Sequence, residues 1–400
     1  MAFPIDMVIV GGCGHVGLPL GLAFANVGKT VALLDRNADA CALVNEGVMP
    51  FEEPDTEPTL RKVLATNTLF ATTDPAVVAQ AEHVVVIVGT PVDEHLNPTL
   101  HILPRAIDEI GAHLRHGQLL ILRSTVYPGV TALVERLVRD RGIDIDVAFC
   151  PERLAEGHAM EELTTLPQLV AARSDATLVR AAKLFHELGV ETVPMAPEEA
   201  ELAKLFTNSW RYIKFAVANQ FYMIANDAGL DFETIRTAMT HEYPRARDLP
   251  RAGFAAGPCL FKDTMQLAAF NNHAFTLGHS ALMINEGLPL YLVAQMEREH
   301  SLADATVGIL GMAFKAESDD IRASLSYKLK RILRFKAREV LTTDPYVTLD
   351  TELQPLEDVL TRADLLIVGA PHAQYRSLQP TQPVVDVWNC VGSGAPAALR

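Results

Sequence analysis

Cysteine and tryptophan are scarce in this chain of 400 residues, five and two respectively. The cysteines (13, 41, 150, 259 and 390) are odd in number and scattered, with none of the short pair spacings of a metal site. That excludes a disulfide framework and reads as reduced thiols in a cytosolic, cytoplasmic protein. Histidines such as His158, His241 and His273 show no ligand spacing either, so no metal is expected. Positive charge is also short: 34 Lys and Arg against 49 Asp and Glu leave a formal net charge of -15. Such a balance argues against nucleic acid or an anionic membrane as the main partner, although local lysines and backbone amides still bind phosphate. One long apolar run exists, Met7 to Val27, but its glycines and His15 interrupt it and no basic segment precedes it. Neither a membrane span nor a signal segment is expected there.

What is present is core-forming material, 49% hydrophobic residues with 21% charged, in a chain long enough for two or three domains. Short apolar, β-branched runs alternate with helical patterns through the first half, the mark of a parallel sheet with crossover helices. The expected strands are Met7–Val10, Val31–Asp35, Val84–Val88, Leu119–Arg123, Val147–Cys150, Gln168–Ala171 and Thr192–Pro194. After Pro194-Met195-Ala196-Pro197 a long helix is predicted from Glu198 to about Ala228, with apolar residues from Leu202 and Leu205 through Trp210, Val217 and Phe221 to Ile224. Shorter helices are predicted over Phe232–Met239, Asp263–Phe270 and Ser280–Met296. The apolar surface of this helical block reads either as a dimer face or as internal core. The last hundred residues then repeat the opening: Thr306–Gly311 echoes Val8–Gly12, Val340–Asp344 echoes Val31–Asp35, and Leu365–Pro371 echoes Val84–Pro91, with Val-Gly-x-Pro in both. The fold predicted is α/β, two Rossmann-like parallel-sheet domains (1–196 and 303–400) flanking a helical central domain (197–302) with a long spine helix. The second copy has lost the full glycine fingerprint, so a different ligand is expected there.

Gly12-Cys13-Gly14-His15-Val16-Gly17 fits G-x-G-x-x-G, follows a strand and opens a helix (Leu18–Val27). Gly12 is assigned the tight turn, Gly14 the close approach of pyrophosphate, and Gly17 the packing of helix on sheet. Asp35, ending the second strand, suits the ribose hydroxyls and repels a 2′-phosphate, so NAD is expected rather than NADP. Arg36 beside it is the contrary signal. Cys13 and His15 fill space in the loop.

Further polar residues cluster at strand ends and helix starts. Ser124-Thr125 follows one strand, and Glu152 and Glu156 follow another. Lys204 and Asn208 are four apart on the long helix and share a face. In Ala256-Gly257-Pro258-Cys259-Leu260-Phe261-Lys262-Asp263 a thiol stands where a glycine- and proline-bearing loop enters a helix. The helix dipole and the Lys262 ammonium both favour thiolate, which makes Cys259 a candidate nucleophile. The competing reading is a small buried hydrophobe.

Taken together, the stations Val-Gly-Thr-Pro (88–91), Ser-Thr-Val (124–126), Pro-Glu-x-x-x-Glu (151–156), Lys-x-x-x-Asn (204–208), Cys-x-x-Lys-Asp (259–263), Gly-x-Ala-Phe-Lys (311–315) and Asp-Asp-Ile-Arg (319–322) resemble the nucleotide-sugar 6-dehydrogenase family, in order, from about Val8 to the C-terminus. The resemblance implies a four-electron oxidation of a sugar C6 hydroxyl to a carboxylate with two NAD. It implies an ordered water held by Thr125 and Asp263, and stabilisation of developing negative charge by Lys204 and Asn208. It further implies covalent capture of the aldehyde by Cys259 and hydrolysis assisted by Glu152, with Glu156 positioning cofactor or substrate. By the same resemblance the cofactor is met by Gly12, Gly14, His15, Val16, Gly17, Asp35, Arg36, Gly89, Thr90, Pro91, Ser124, Thr125, Glu156, Lys262 and Arg322. The nucleotide sugar is met by Glu152, Leu154, Ala155, Glu156, Lys204, Asn208, Arg245, Phe254, Ala255, Gly257, Cys259, Phe314 and Lys315. Arg322 and Arg245 are implied to act across a homodimer interface; a surface salt bridge is the alternative for each.

Two stretches depart from the family pattern. The loop before the thiol reads Gly253-Phe254-Ala255-Ala256-Gly257, where the family carries further glycines, and its alanines require ordinary backbone angles. Asp386-Val387-Trp388-Asn389 stands where many relatives place an arginine; Trp388 either stacks on a base or closes the core. Both bear on which sugar is bound: UDP-glucose, UDP-N-acetylglucosamine, UDP-N-acetylmannosamine and GDP-mannose all occur in the family. The rival functions are a two-electron hydroxyacid dehydrogenase of the same superfamily, which needs no cysteine, and a non-catalytic NAD or nucleotide sensor.

Overall fold

The β-branched runs become strands. The computed structural model describes residues 3–54 and 56–391, and the chain divides into two units, Met1–Thr207 and Asn208–Arg400.

The first unit holds β1 (Ile5–Val10), β2 (Val31–Leu34), β3 (Leu69–Thr72), β4 (Ala81–Val86), β5 (Leu119–Leu122), β6 (Asp146–Phe149), β7 (Gln168–Ala172) and β8 (Thr192–Met195). They form one sheet in the order β3-β2-β1-β4-β5-β6-β7-β8. Its central strands are buried on both faces, which is why β2 (Val-Ala-Leu-Leu) and β5 (Leu-Leu-Ile-Leu) read as unbroken apolar runs. Neighbours on β1 point to opposite sides: Met7 and Ile9 pack into one core, Val8 into the other. All pairings are parallel except β6 with β7, which is antiparallel over Ala148↔Ala172 and Phe149↔Ala171. The parallel expectation fails at this one joint because an antiparallel neighbour needs no crossover of the sheet. The chain between them instead carries the carboxylate segment and a short helix, Ala159–Thr165.

The helix after the glycine loop spans Gly17–Asn26. The long helix runs Pro197–Asp227, 31 residues, with Glu198 and Glu199 in its first turn complementing the dipole. The division between units falls within it.

In the second unit, helices Phe232–Thr240, Leu260–Phe270 and Thr276–Glu299 precede a small parallel sheet. Its strands are β9 (Thr306–Leu310), β10 (Glu339–Thr343), β11 (Leu365–Val368) and β12 (Val384–Val385), ordered β10-β9-β11-β12. The echo seen in sequence is an echo in topology, since β9 lies between β10 and β11 as β1 lies between β2 and β4. Among the described residues no helix is long and apolar enough to cross a membrane.

Candidate active site

The turn after β1 is built on backbone contacts that exclude side chains. Gly11 and Gly12 N–H both donate to Leu34 O, at 2.8 and 3.2 Å. The left-handed backbone falls on Gly11 (φ +80°), where a Cβ would stand 1.9 Å from Ile87 O. The tight-turn role expected of Gly12 therefore belongs to Gly11, and Gly12 is required for close packing, a Cβ there lying 2.8 Å from Leu33 Cα. A Cβ at Gly17 would stand 2.4 Å from Gly11 O, so helix and loop press together as expected. Gly14 differs: nothing lies nearer than 4.0 Å, and the loop is open above it, as approach of a pyrophosphate demands. Asp35 follows β2, and its carboxylate accepts the Cys13 and Asn37 N–H groups at 3.0 Å each, which leaves lone pairs on both oxygens. Arg36 is exposed and ion-paired with Glu109. The His15 ring lies on Phe51, centroids 4.0 Å apart, with Nδ1 3.5 Å from Glu156 Oε1. Val16 caps the start of the helix. These residues fit NAD.

Beyond β4, the Val88 N–H donates to Ser124 Oγ at 2.7 Å, and Thr90 Oγ1 donates to Thr125 O at 2.7 Å. Gly89 and Pro91 flank Thr90, and the strand-end segments thus hold each other. The carboxylate loop after β6 is fixed by acids that sequence reasoning missed. Buried Glu53 accepts the Gly157 and Ala159 N–H groups at 2.8 and 2.9 Å, and Glu162 accepts the Ala155 N–H at 2.5 Å. Glu152, half-buried, accepts the Leu154 N–H and faces the buried Lys204 ammonium, Oε2 to Nζ 3.9 Å. Neither Glu152 nor Glu156 is a plain surface charge. Beneath the loop, fully buried Arg123 donates to Cys150 O at 3.2 Å and Gln168 Oε1 at 2.8 Å, tying β5 to β6 and β7. Nothing in local spacing announces Glu53 or Arg123; their partners are remote in sequence.

In the second unit Cys259 is exposed and occupies the N-cap of Leu260–Phe270, three residues nearer the helix start than predicted. The thiol therefore stands at the positive end of the dipole. Asp263, fully buried, accepts from Asn208 Nδ2 at 2.5 Å, and Lys262 Nζ stands 2.8 Å from its other oxygen. The charge assigned to Lys262 is thus shared with Asp263. Phe254 and Ala255 are buried, and Gly257 (φ +97°) turns the chain where a Cβ would meet the Phe314 ring at 2.6 Å. Of the loop residues only Gly253 and Gly257 take positive φ, so both alanines have the ordinary angles their side chains require.

Lys315 Nζ lies 5.8 Å from the Phe314 ring centroid. Arg322 forks onto Asp320, Nε to Oδ1 and Oδ2 at 2.9 and 2.8 Å. Arg245 lies over the Tyr243 ring at 4.7 Å and donates to its hydroxyl at 2.8 Å, with no salt bridge among the described residues. Trp388 closes the core: its indole N–H reaches Gly369 O at 3.1 Å and its ring packs edge-on to Phe254, 6.4 Å between centroids. Asp344, the counterpart of Asp35, accepts from Met312, Ala313, Tyr346 and Val347 N–H and from His372 Nε2. With its lone pairs taken up by the protein, this strand end has none to spare for a ribose.

A sheet with an open glycine cradle and an acidic strand end defines a dinucleotide-binding protein of the kind that takes NAD. The NAD binding domain of the UDP-glucose/GDP-mannose dehydrogenase family matches residues 6–189, its central domain 198–287 and its UDP binding domain 308–393; the chain belongs to that family and is a nucleotide-sugar dehydrogenase. The UDP-N-acetyl-D-mannosamine dehydrogenase of Pyrococcus horikoshii is 31% identical over 93% of this chain and 90% of its own. A solved UDP-D-ManNAc dehydrogenase from Pyrococcus horikoshii superposes with a TM-score of 0.88 at 28% identity, covering 95% of this chain and 94% of the other. A UDP-glucose dehydrogenase from Pyrobaculum islandicum gives 0.90 at 26% identity, covering 97% and 95%.

Proposed function

We propose that the protein oxidises the C6 hydroxyl of a UDP-hexose or UDP-N-acetylhexosamine to the carboxylate, in the cytoplasm, through a covalent intermediate on Cys259. The observation that carries this reading is the exposed thiol at a helix N-cap, four residues from a buried aspartate that is bonded to Asn208 and paired with Lys262. The names of the relatives, UDP-N-acetyl-D-mannosamine and UDP-glucose dehydrogenases, support a UDP-sugar.

NAD, when bound at the glycine loop, supplies the hydride acceptor for both oxidations. In the first, C6 loses hydride and its hydroxyl proton passes to an ordered water. The Cys259 sulfur then adds to the aldehyde carbon. Lys204 and Asn208 stabilise the negative charge on the oxygen, a role whose loss costs about 10²–10³ in rate. Loss of the second hydride turns the thiohemiacetal into a thioester. Water, deprotonated by Glu152, adds to the carbonyl; the C–S bond breaks, the thiol recovers its proton and the acid departs. Capture on sulfur keeps the aldehyde from escaping.

Purified protein is to be mixed with NAD and a panel of UDP- and GDP-sugars, with NADH followed by absorbance and product by mass spectrometry. Two NADH per carboxylate are expected, and Cys259→Ser is expected to form no acid while remaining folded and binding NAD. One NADH per sugar would return the chain to two-electron chemistry, whereas undiminished acid formation by the serine variant would remove the thioester step from the mechanism. Silence across the whole panel would favour the non-catalytic sensor. We further propose a homodimer, supported by the exposed apolar residues Trp210, Val217, Phe221 and Ile224 on the long helix.

A further inference from the structure

Six residues before the thiol, the backbone of Gly253 is gripped by one side chain. Asn219, fully buried in the long helix, accepts the Gly253 N–H on Oδ1 at 2.9 Å and donates from Nδ2 to Gly253 O at 3.0 Å. Its second amide hydrogen goes to Asn285 Oδ1 at 2.9 Å. Asn285, also fully buried, donates in turn to Tyr212 O at 3.1 Å. The two asparagines form a directed chain. Asn285 is oriented by a helix carbonyl and presents an acceptor to Asn219. That contact fixes which end of the Asn219 amide faces the Gly253 N–H and which its C=O. A flipped amide would set donor against donor and acceptor against acceptor. The opposite side of Gly253 is closed by Trp388, whose ring would stand 2.2 Å from a Cβ built there. From this fixed point the chain runs through buried Phe254 and Ala255 and the turn at Gly257 to the helix start at Cys259.

We infer that Asn219, locked by Asn285, is a positioning residue of this enzyme: it holds the Gly253–Gly257 loop, and through the loop the placement of the Cys259 thiol toward the nucleotide sugar. This rests on the function proposed above. Asn219 touches neither sulfur nor ligand in its role; it acts by fixing one peptide unit in a segment two of whose five residues are glycines. The grip is specific to a carboxamide, since a hydrophobe of the same volume would leave both backbone groups of Gly253 buried and unpaired.

The test compares wild type with Asn219→Ala, Asn285→Ala and the double variant, each checked for folding by circular dichroism. kcat and KM are measured for whichever nucleotide sugar the wild type oxidises and for NAD, and alkylation of Cys259 by iodoacetamide is timed by mass spectrometry. Asn219→Ala is expected to lower kcat/KM for the sugar by about tenfold or more with KM for NAD within about twofold of wild type, as both buried hydrogen bonds to Gly253 are lost. Asn285→Ala, which keeps both bonds to Gly253 and frees only the amide's orientation, is expected to do less. The double variant is expected to match Asn219→Ala, because the two act in series. Asn219→Ala is also expected to change the alkylation rate of Cys259 by threefold or more. Wild-type kcat/KM in a less stable Asn219→Ala, or effects of the two substitutions that simply multiply, would overturn the inference and leave a structural role. Should Asn219→Ala not fold, Asn285→Ala takes its place, and wild-type values there for both the sugar kcat/KM and the Cys259 alkylation rate overturn the lock on which the inference rests. Should the wild type oxidise no sugar, the proposed function fails, and the alkylation rate alone then decides: unchanged, it overturns the positioning role; changed, it upholds control of the thiol.

Discussion

Four of the five thiols in this chain are sealed in protein and one is in water. Burial pushes Cys150 up to about 12 and Cys390 up to about 11, and it raises Cys13 and Cys41 as well. Their thiolate population at neutral pH is negligible, and thiolate is the reacting form. Iodoacetamide is therefore expected to add one label to the native protein, at Cys259, and four more only in denaturant; intact-mass and peptide analysis would reveal a second native label at Cys13 or Cys41 if this is wrong. At the cofactor end, Asp35→Ala is expected to lower kcat/KM for NAD by about 10–100-fold, the worth of hydrogen bonds to a charged acceptor. It should also raise the NADP to NAD ratio by removing the repulsion of a 2′-phosphate. A variant that still rejects NADP as wild type does would move cofactor choice elsewhere in the loop.

At the scale of elements, the turn after β10 is stabilised by a carboxylate. Burial alone would raise Asp344, but the His372 bond and the backbone N–H donors outweigh it, leaving this carboxyl below its ordinary 3.8. The Glu317 N–H donates to His372 Nδ1 at 3.0 Å, which leaves Nε2 as the protonated nitrogen facing Asp344. A carboxyl depressed on folding contributes stability that is present above its unfolded value, about 3.9, and lost as pH falls through the lower native one. Asp344→Asn is accordingly expected to cost about 2 kcal/mol at pH 7, with the difference from wild type shrinking as the pH falls below about 3.9. Both tryptophans, Trp210 and Trp388, lie in this unit, so urea unfolding followed by their fluorescence at the two pH values measures it; a difference independent of pH would mean that the carboxylate's charge is not what matters. Elements with a strong period were legible in sequence. The long helix was placed within one residue at each end, and ten strands were found. β3 was not, because Leu-Phe-Ala-Thr is short and half exposed, nor was β12, two residues long. The antiparallel joint of β6 and β7 was invisible for another reason: composition reports burial, and burial is the same whichever way a strand runs.

For the molecule as a whole, the long helix carries two apolar faces that a list of its hydrophobic residues merges. Leu205, Tyr212, Ala216 and Tyr222 are buried, whereas Trp210, Val217, Phe221 and Ile224 are exposed at heptad-like spacing. A combined Phe221→Glu and Ile224→Glu variant is expected to run as a monomer by light scattering where the wild type runs as a dimer; equal masses for the two would remove this helix from the interface. The candidate site was legible where chemistry demands particular residue types at fixed offsets, as at Lys204 and Asn208 or at Cys259 and Asp263. Its supports were less so. Glu53 answers to no local spacing, but Asn219 had a signal: it stands eleven residues after Asn208, about three helical turns, and so continues the polar line of the buried face. Gly253 carries a practical consequence for any mutagenesis of this loop. With an indole pressed on its Cα and an amide on its peptide, that position tolerates no diversification, nor does Gly257 with a phenyl ring against it. Mutagenic libraries belong at Phe254, Ala255 and Ala256 alone, with both flanking glycines left untouched.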